Sequence, residues 1–152
     1  MESAGSDKTV LFLCTGNYYR SRHAEIVFNH HATVAGLGWR AISRGLALEL
    51  GVNNVGPMAQ ATRARLTGLG ISHAAYLRLP APVTDADLTR ADLIVALKEA
   101  EHRPLLTERH PGWAERTHFW HVHDVDFAVP DVALPQIEDA VLELIRRLGQ
   151  PE

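Results

Sequence analysis

Three features of the 152-residue chain predict an α/β architecture, a parallel sheet with helices on both faces. Short runs at residues 10–13, uniformly apolar, and 92–97, apolar after Asp92, are too brief for amphipathic helices, and their β-branched content suits strands buried on both faces. Longer stretches with helical spacing alternate with these runs. Glycines and prolines punctuate the junctions, and the outcome is a three-layer αβα sandwich around four parallel strands.

Residues 8–14 form the first strand, which ends at Cys14, the only cysteine. Residues 15–20 form a loop containing Gly16 and Asn17, two residue types that tolerate positive φ. A helix over 20–34 follows, with Ala24, Val27, Phe28, His31 and Val34 as its apolar stripe and Gly36 and Gly38 closing it. His30 and His31 read as helix surface with one partly buried ring. Residues 39–43 form the second strand, with Trp39 read as core and Ser43 at its end. The glycines and asparagines of 44–55 make that segment a loop near the site. Pro57 suits the first turn of a helix that runs through Ala61, Ala64, Arg65 and Leu66 to a stop at Gly68 or Gly70. A short extended piece at 74–79 is broken by Pro80 and Pro82, and Thr84 with Asp87 has the spacing of a capping box. The third strand spans 92–97, and 98–110 reads as helix, kinked or restarted at Pro104. The fourth strand covers 118–122, and a loop from His123 leads to a helix at 135–148. That helix carries Ile137, Val141, Leu144, Ile145 and Leu148 on one stripe, with Arg146 and Arg147 near its C-terminal end.

The length suits one domain over 8–152, after a short disordered tail at 1–7. With 46% hydrophobic residues, 22% charged residues and a net charge of −3, the composition excludes a disordered chain and gives no sign of a nucleic-acid partner. There is no apolar segment of membrane-spanning length and no signal-peptide pattern at the N-terminus. One cysteine cannot form an internal disulfide, so a reducing cytoplasm is the expected location, with a monomer or weak dimer as the expected state. His118, His121, His123, Asp124 and Asp126 raise the question of a metal. Only His121 and His123 would share a strand face, and nothing has the spacing of a structural zinc site, so no metal or cofactor is expected.

Cys14 lies where a strand ends, and the helix that begins at Arg20 or Ser21 points its N-terminus at the intervening loop. Unpaired backbone N–H groups and the positive end of the helix dipole make such a loop a cradle for phosphate. The same field favours a nucleophilic thiolate at Cys14, and the guanidinium of Arg20 matches two oxygens of a tetrahedral oxyanion.

The run Cys14-Thr15-Gly16-Asn17-Tyr18-Tyr19-Arg20-Ser21 resembles the phosphate loop of the low-molecular-weight protein tyrosine phosphatases. The likeness extends through Trp39 to Gly45, Gly56-Pro57, Leu69-Gly70-Ile71, the strand from Asp92 to Leu97 and the segment from Val122 to Asp126. It implies a flavodoxin-like sheet of strand order 2-1-3-4 and a metal-independent hydrolase of aryl phosphates, protein phosphotyrosine or a small aryl ester, releasing inorganic phosphate. On that resemblance Cys14 attacks phosphorus, while Arg20 and the loop from Thr15 to Ser21 hold the phosphoryl oxygens. Ser21 donates to the sulfur or merely caps the helix, and Asn17 braces the loop, with Ser43 as partner, or simply suits a turn. The general acid falls in the loop after the fourth strand, where Asp124 aligns best and Asp126 competes, although the family's following proline is missing.

Tyr18 would shape the pocket mouth for an aryl group, and Tyr19, where many members have a second cysteine, serves the cleft or packs beneath the loop. Arg22 replaces the usual proline and sets a second cation against the helix dipole, a cost unless an anion or Glu25 offsets it. The rival readings are a catalytically impaired phosphopeptide-binding module and an arsenate reductase that borrows an external thiol.

Overall fold

β1 (Lys8–Cys14) runs through the core because its residues are apolar on both sides of the pleat. A computed structural model describes residues 8–51, 54–122 and 129–150. β1 pairs in parallel with β2 (Trp39–Gly45), from Lys8 opposite Trp39 to Cys14 opposite Gly45. Its other edge pairs with β3 (Leu93–Ala96), and β4 (Thr117–Phe119) completes a parallel sheet in the order β2-β1-β3-β4.

Val10 and Phe12 pack on the side of α1 (Arg20–Ala35), α2 (Gln60–Gly68) and α5 (Pro130–Leu148), beside Ala24, Phe28, Leu66, Ile137 and Val141. Leu11 and Leu13 pack on the opposite side with Leu88 of α3 (Asp85–Arg90) and Leu106 of α4 (Glu99–Arg109). A sheet covered on both faces explains why β1 and β3 read as unbroken apolar runs. The strand order reverses between β1 and β3, so a crevice opens at their carboxyl ends, where Cys14 sits.

Several boundaries differ from the sequence reading for identifiable reasons. On α1, Ala24, Val27 and Phe28 are buried, but His31 is half-buried and Val34 is 74% exposed, because the helix runs past the edge of the layer beneath it. Trp39 is likewise only partly buried, at the start of a strand on the sheet's edge. β2 continues to Gly45, where its backbone meets the loop: a Cβ on Gly45 would lie 2.9 Å from the Thr15 carbonyl and 3.1 Å from the Asn17 nitrogen. α2 begins at Gln60, so Pro57 lies in the turn before it, and residues 74–76 form a 3₁₀ turn rather than an extended piece. β4 ends at Phe119, and His121 keeps only an isolated antiparallel bridge to Lys98. α5 starts at Pro130, with Pro135 inside it, because the Pro135 ring falls where its lost hydrogen bond would have ended on the carbonyl of exposed Asp131.

Glu138 fastens three helices together. It accepts from Arg65 of α2 through both oxygens, at 2.9 and 2.7 Å, and lies 2.8 Å from Nε2 of buried His23 in α1. Burial alone would raise its pKa, but hydrogen bonds from His23 and Arg65 outweigh burial and hold it at about 2. A carboxylate depressed in this way stabilises the fold above its ordinary value of 4.5, and that contribution is lost as pH falls toward about 2. Glu138→Gln is therefore expected to reduce the decline of Tm across that window in melts recorded at a series of pH values. An unchanged slope would assign the acid sensitivity to other carboxylates.

Candidate active site

Cys14 ends β1 and Arg20 opens α1, so the five residues between them must reverse direction within one loop. Asn17 makes the reversal, with φ of 51°, the one non-glycine residue at positive φ among those described. The loop is held from outside by backbone bonds: Leu46 N–H donates to the Cys14 carbonyl, Ala47 N–H to that of Thr15, and Ala59 N–H to that of Tyr18.

The Cys14 Sγ lies 3.0 Å from the Ser21 hydroxyl, both fully inside the protein. Asn17 Nδ2 donates to that same hydroxyl at 2.9 Å and to Ser43 Oγ at 3.0 Å. Accepting from Asn17 leaves the Ser21 hydrogen available to the sulfur, and a thiolate at Cys14, which has no hydrogen of its own, would receive it. Ser21 is not a helix cap: it lies within the first turn of α1, after the N-cap position at Tyr19.

The Arg20 guanidinium is fixed from two sides. Nη1 donates to the Val122 carbonyl at 3.0 Å, and Nη2 donates to Glu101 Oε2 at 2.7 Å. The Thr15 hydroxyl also donates to Oε2 of Glu101. Behind them the buried His102 ring accepts the Lys98 N–H at Nδ1, leaving Nε2 to carry the proton 3.3 Å from that same oxygen. Burial would push the Glu101 carboxyl up, but His102, Arg20 and Thr15 together hold it far below the usual carboxylate range.

Arg22 does not stand against the helix dipole as its sequence position suggests. Its side chain is fully buried and turns away from the axis to donate to four carbonyls: Asn17 at 3.1 Å, Pro57 at 2.9 Å, Tyr76 at 2.6 Å and Arg78 at 2.8 Å. Burial, helped by Arg78, lowers its pKa to about 10, while Glu25 and Cys14 oppose the shift, so it is cationic at neutral pH. Tyr19 is buried in the main core cluster beneath the loop and also contributes to the cleft floor.

A cleft of about 150 Å³ opens above the sulfur, lined by Cys14, Gly16, Tyr18, Asn54, Ala59 and Ala61. The Tyr18 hydroxyl donates to the Val55 carbonyl, which fixes its ring as one wall. Sequence reasoning missed Glu101 and Arg78. The usable signal for Glu101 was its position just beyond β3, at the carboxyl end where the strand order reverses. Arg78 follows a turn with no periodicity and gave no signal. Asp124, Asp126 and His123 lie outside the described residues. His118 and His121 are exposed, and among the described residues no group of three His, Cys, Asp or Glu could hold a metal. No helix of the described residues is long and apolar enough to cross a membrane.

The model of one protein family, low molecular weight phosphotyrosine protein phosphatase, matches residues 9–132. The chain belongs to this family. Membership makes it a phosphatase by class, with a phosphorylated substrate and phosphate as product. Solved structures of the same fold include YfkJ from Bacillus subtilis, 26% identical with a TM-score of 0.79, covering 96% of this chain and 99% of that one. The low molecular weight protein tyrosine phosphatase of T. tengcongensis is 24% identical with a TM-score of 0.77, covering 93% and 99%. YwlE, an arginine phosphatase, is 18% identical in a mutant with a phosphorylated active-site serine, with a TM-score of 0.76 over 95% and 97%. YwlE comes from Bacillus subtilis. A comparison with curated protein sequences finds no match.

Proposed function

We propose that the chain hydrolyses aryl phosphomonoesters, protein phosphotyrosine foremost, through a phosphocysteine intermediate. The observation that carries this reading is the Cys14 sulfur, at a cleft it helps to line and 3.0 Å from a hydroxyl able to donate to a thiolate there. Sγ attacks phosphorus in line with the departing oxygen, the P–O bond to the aryl group breaks, and the leaving oxygen takes a proton from a carboxylic acid. Water then attacks phosphorus and the thiolate departs, with the same carboxylate accepting the water's proton. Arg20 and the loop N–H groups neutralise charge on the equatorial oxygens, and the Ser21 hydrogen bond favours anionic sulfur in both steps.

Asp124 is the proposed acid, with Asp126 as its competitor. Support comes from Val122, two residues earlier, whose carbonyl is held by Arg20. The aryl preference rests on Tyr18, a fixed aromatic wall suited to stacking on a phenyl ester. YwlE shows that an arginine phosphatase also has this fold, so phosphoarginine is the substrate class to test against.

Rapid-quench turnover of p-nitrophenyl phosphate should release a burst of nitrophenol equal to the enzyme present, with phosphate recovered on the Cys14 peptide. A linear time course with no phosphopeptide, and no turnover of phosphotyrosine peptides, would refute the proposal. Asp124→Ala should slow poor leaving groups more than good ones; if only Asp126→Ala does so, the acid is Asp126.

A further inference from the structure

Behind the loop lie two guanidinium groups and one carboxylate, those of Arg22, Arg78 and Glu25, that take no part in the chemistry above. Asn17 is what they surround. Its side-chain amide has two hydrogens and two lone pairs, and all four are used: Nδ2 donates to Ser21 and Ser43, while Oδ1 accepts from Arg78 Nη1 at 2.9 Å and from Ala81 N–H at 3.0 Å. The donors to Oδ1 cannot accept, so the amide has one orientation. Its main-chain carbonyl accepts from Arg22. A left-handed backbone is unfavourable for a residue with a Cβ, and here it is held by cations at both the side chain and the carbonyl.

Arg78 does this with a fork. While Nη1 holds Asn17 and the Leu79 carbonyl, Nη2 reaches the Ser43 carbonyl at 2.9 Å, its hydroxyl at 3.1 Å and Glu25 Oε1 at 3.5 Å. The guanidinium thus ties the turn of the phosphate loop to the end of β2. Glu25 also accepts from Ser43 at 2.6 Å and lies 3.5 Å from Arg78, so the guanidinium and the carboxylate meet at the same serine beneath the loop.

We propose that Arg78 is a positioning residue of the phosphate loop. It locks Asn17 in the conformation that turns the loop N–H groups inward and adds positive charge below the anion, so phosphate affinity is set partly from a segment 61 residues along the chain. The proposal rests on the reading of this loop as a phosphate site. A lysine would restore the charge but could not span Asn17 and Ser43 together.

The test is protection of Cys14 from iodoacetamide by inorganic phosphate and by vanadate, which needs no turnover. The Arg78 side chain is 35% exposed, so its replacement is better tolerated than that of wholly buried Arg22. Arg78→Met is expected to raise the phosphate concentration for half-protection about tenfold, and Arg78→Lys to recover only part of that loss. In an Asn17→Ala background the Arg78→Met effect should largely disappear, because Arg78 acts through Asn17. Melts without phosphate separate lost stability from lost anion binding. Unchanged protection in Arg78→Met, full recovery by Arg78→Lys, or simple additivity with Asn17→Ala overturns the proposal. Should Arg78→Met fail to fold, Arg78→Lys must still weaken protection roughly threefold, and wild-type protection by it overturns the proposal. Absence of phosphate protection in the wild-type protein would instead refute the phosphate site itself.

Discussion

Cys14→Ser is expected to lower turnover of an aryl phosphate by about 10⁴-fold or more while leaving the fold in place. Cys14 is 2% exposed and its sulfur lies 3.0 Å from the Ser21 hydroxyl, so an oxygen in its place is close to isosteric and keeps a hydrogen-bond partner. What it loses is nucleophilicity: a serine hydroxyl has no adjacent base in this loop and must be deprotonated before it can attack phosphorus. Steady-state assays with circular dichroism and a melt check both halves. A variant that retains a tenth of the wild-type rate, or one that no longer folds, would contradict the role given to this side chain. The variant should still bind phosphate, because Arg20 and the backbone amides are untouched.

The second large effect concerns stability. Arg22→Met should lower the unfolding free energy by roughly 3 kcal/mol, a fall in Tm on the order of 10 °C for a domain of this size. Methionine fills much of the stem's volume, so the cost comes from four carbonyls, those of Asn17, Pro57, Tyr76 and Arg78, that lose a charged donor at once. Those carbonyls belong to the loop after β1, the turn before α2 and the segment after it, three described pieces with no strand pairing among them. A melt of Arg22→Met within 2 °C of wild type would show that water takes over the carbonyls. The residue thus exchanges the backbone rigidity of the family's usual proline for a buried hub.

How far the sequence reached depends on whether a feature is local. β1, the loop and α1 were legible because an apolar run, a glycine with an asparagine, and helical spacing follow one another within about thirty residues. The parallel sheet followed from the alternation of strands and helices, whereas its order, 2-1-3-4, came only from the family resemblance. Short edge strands were harder: β4 has three residues, and the apolar text beyond it misled the boundary. The partners of the loop were illegible for a different reason. Glu101 and Arg78 lie 81 and 61 residues from the groups they hold, and ordinary helix and loop positions give no hint of what they will meet. Arg22 was visible as a departure, yet its local setting suggested a penalty; only the fold reveals four acceptors waiting for it.

The two anchors of Arg20 have a consequence for biosynthesis. Both the Glu101 carboxylate and the Val122 carbonyl are made long after the signature that contains the guanidinium. A chain emerging from the ribosome therefore carries the complete cysteine-to-arginine text while its arginine still swings free in water. The guanidinium can take its folded position only after the chain through Val122 has been made, so the motif's text is complete roughly a hundred residues before its geometry can be.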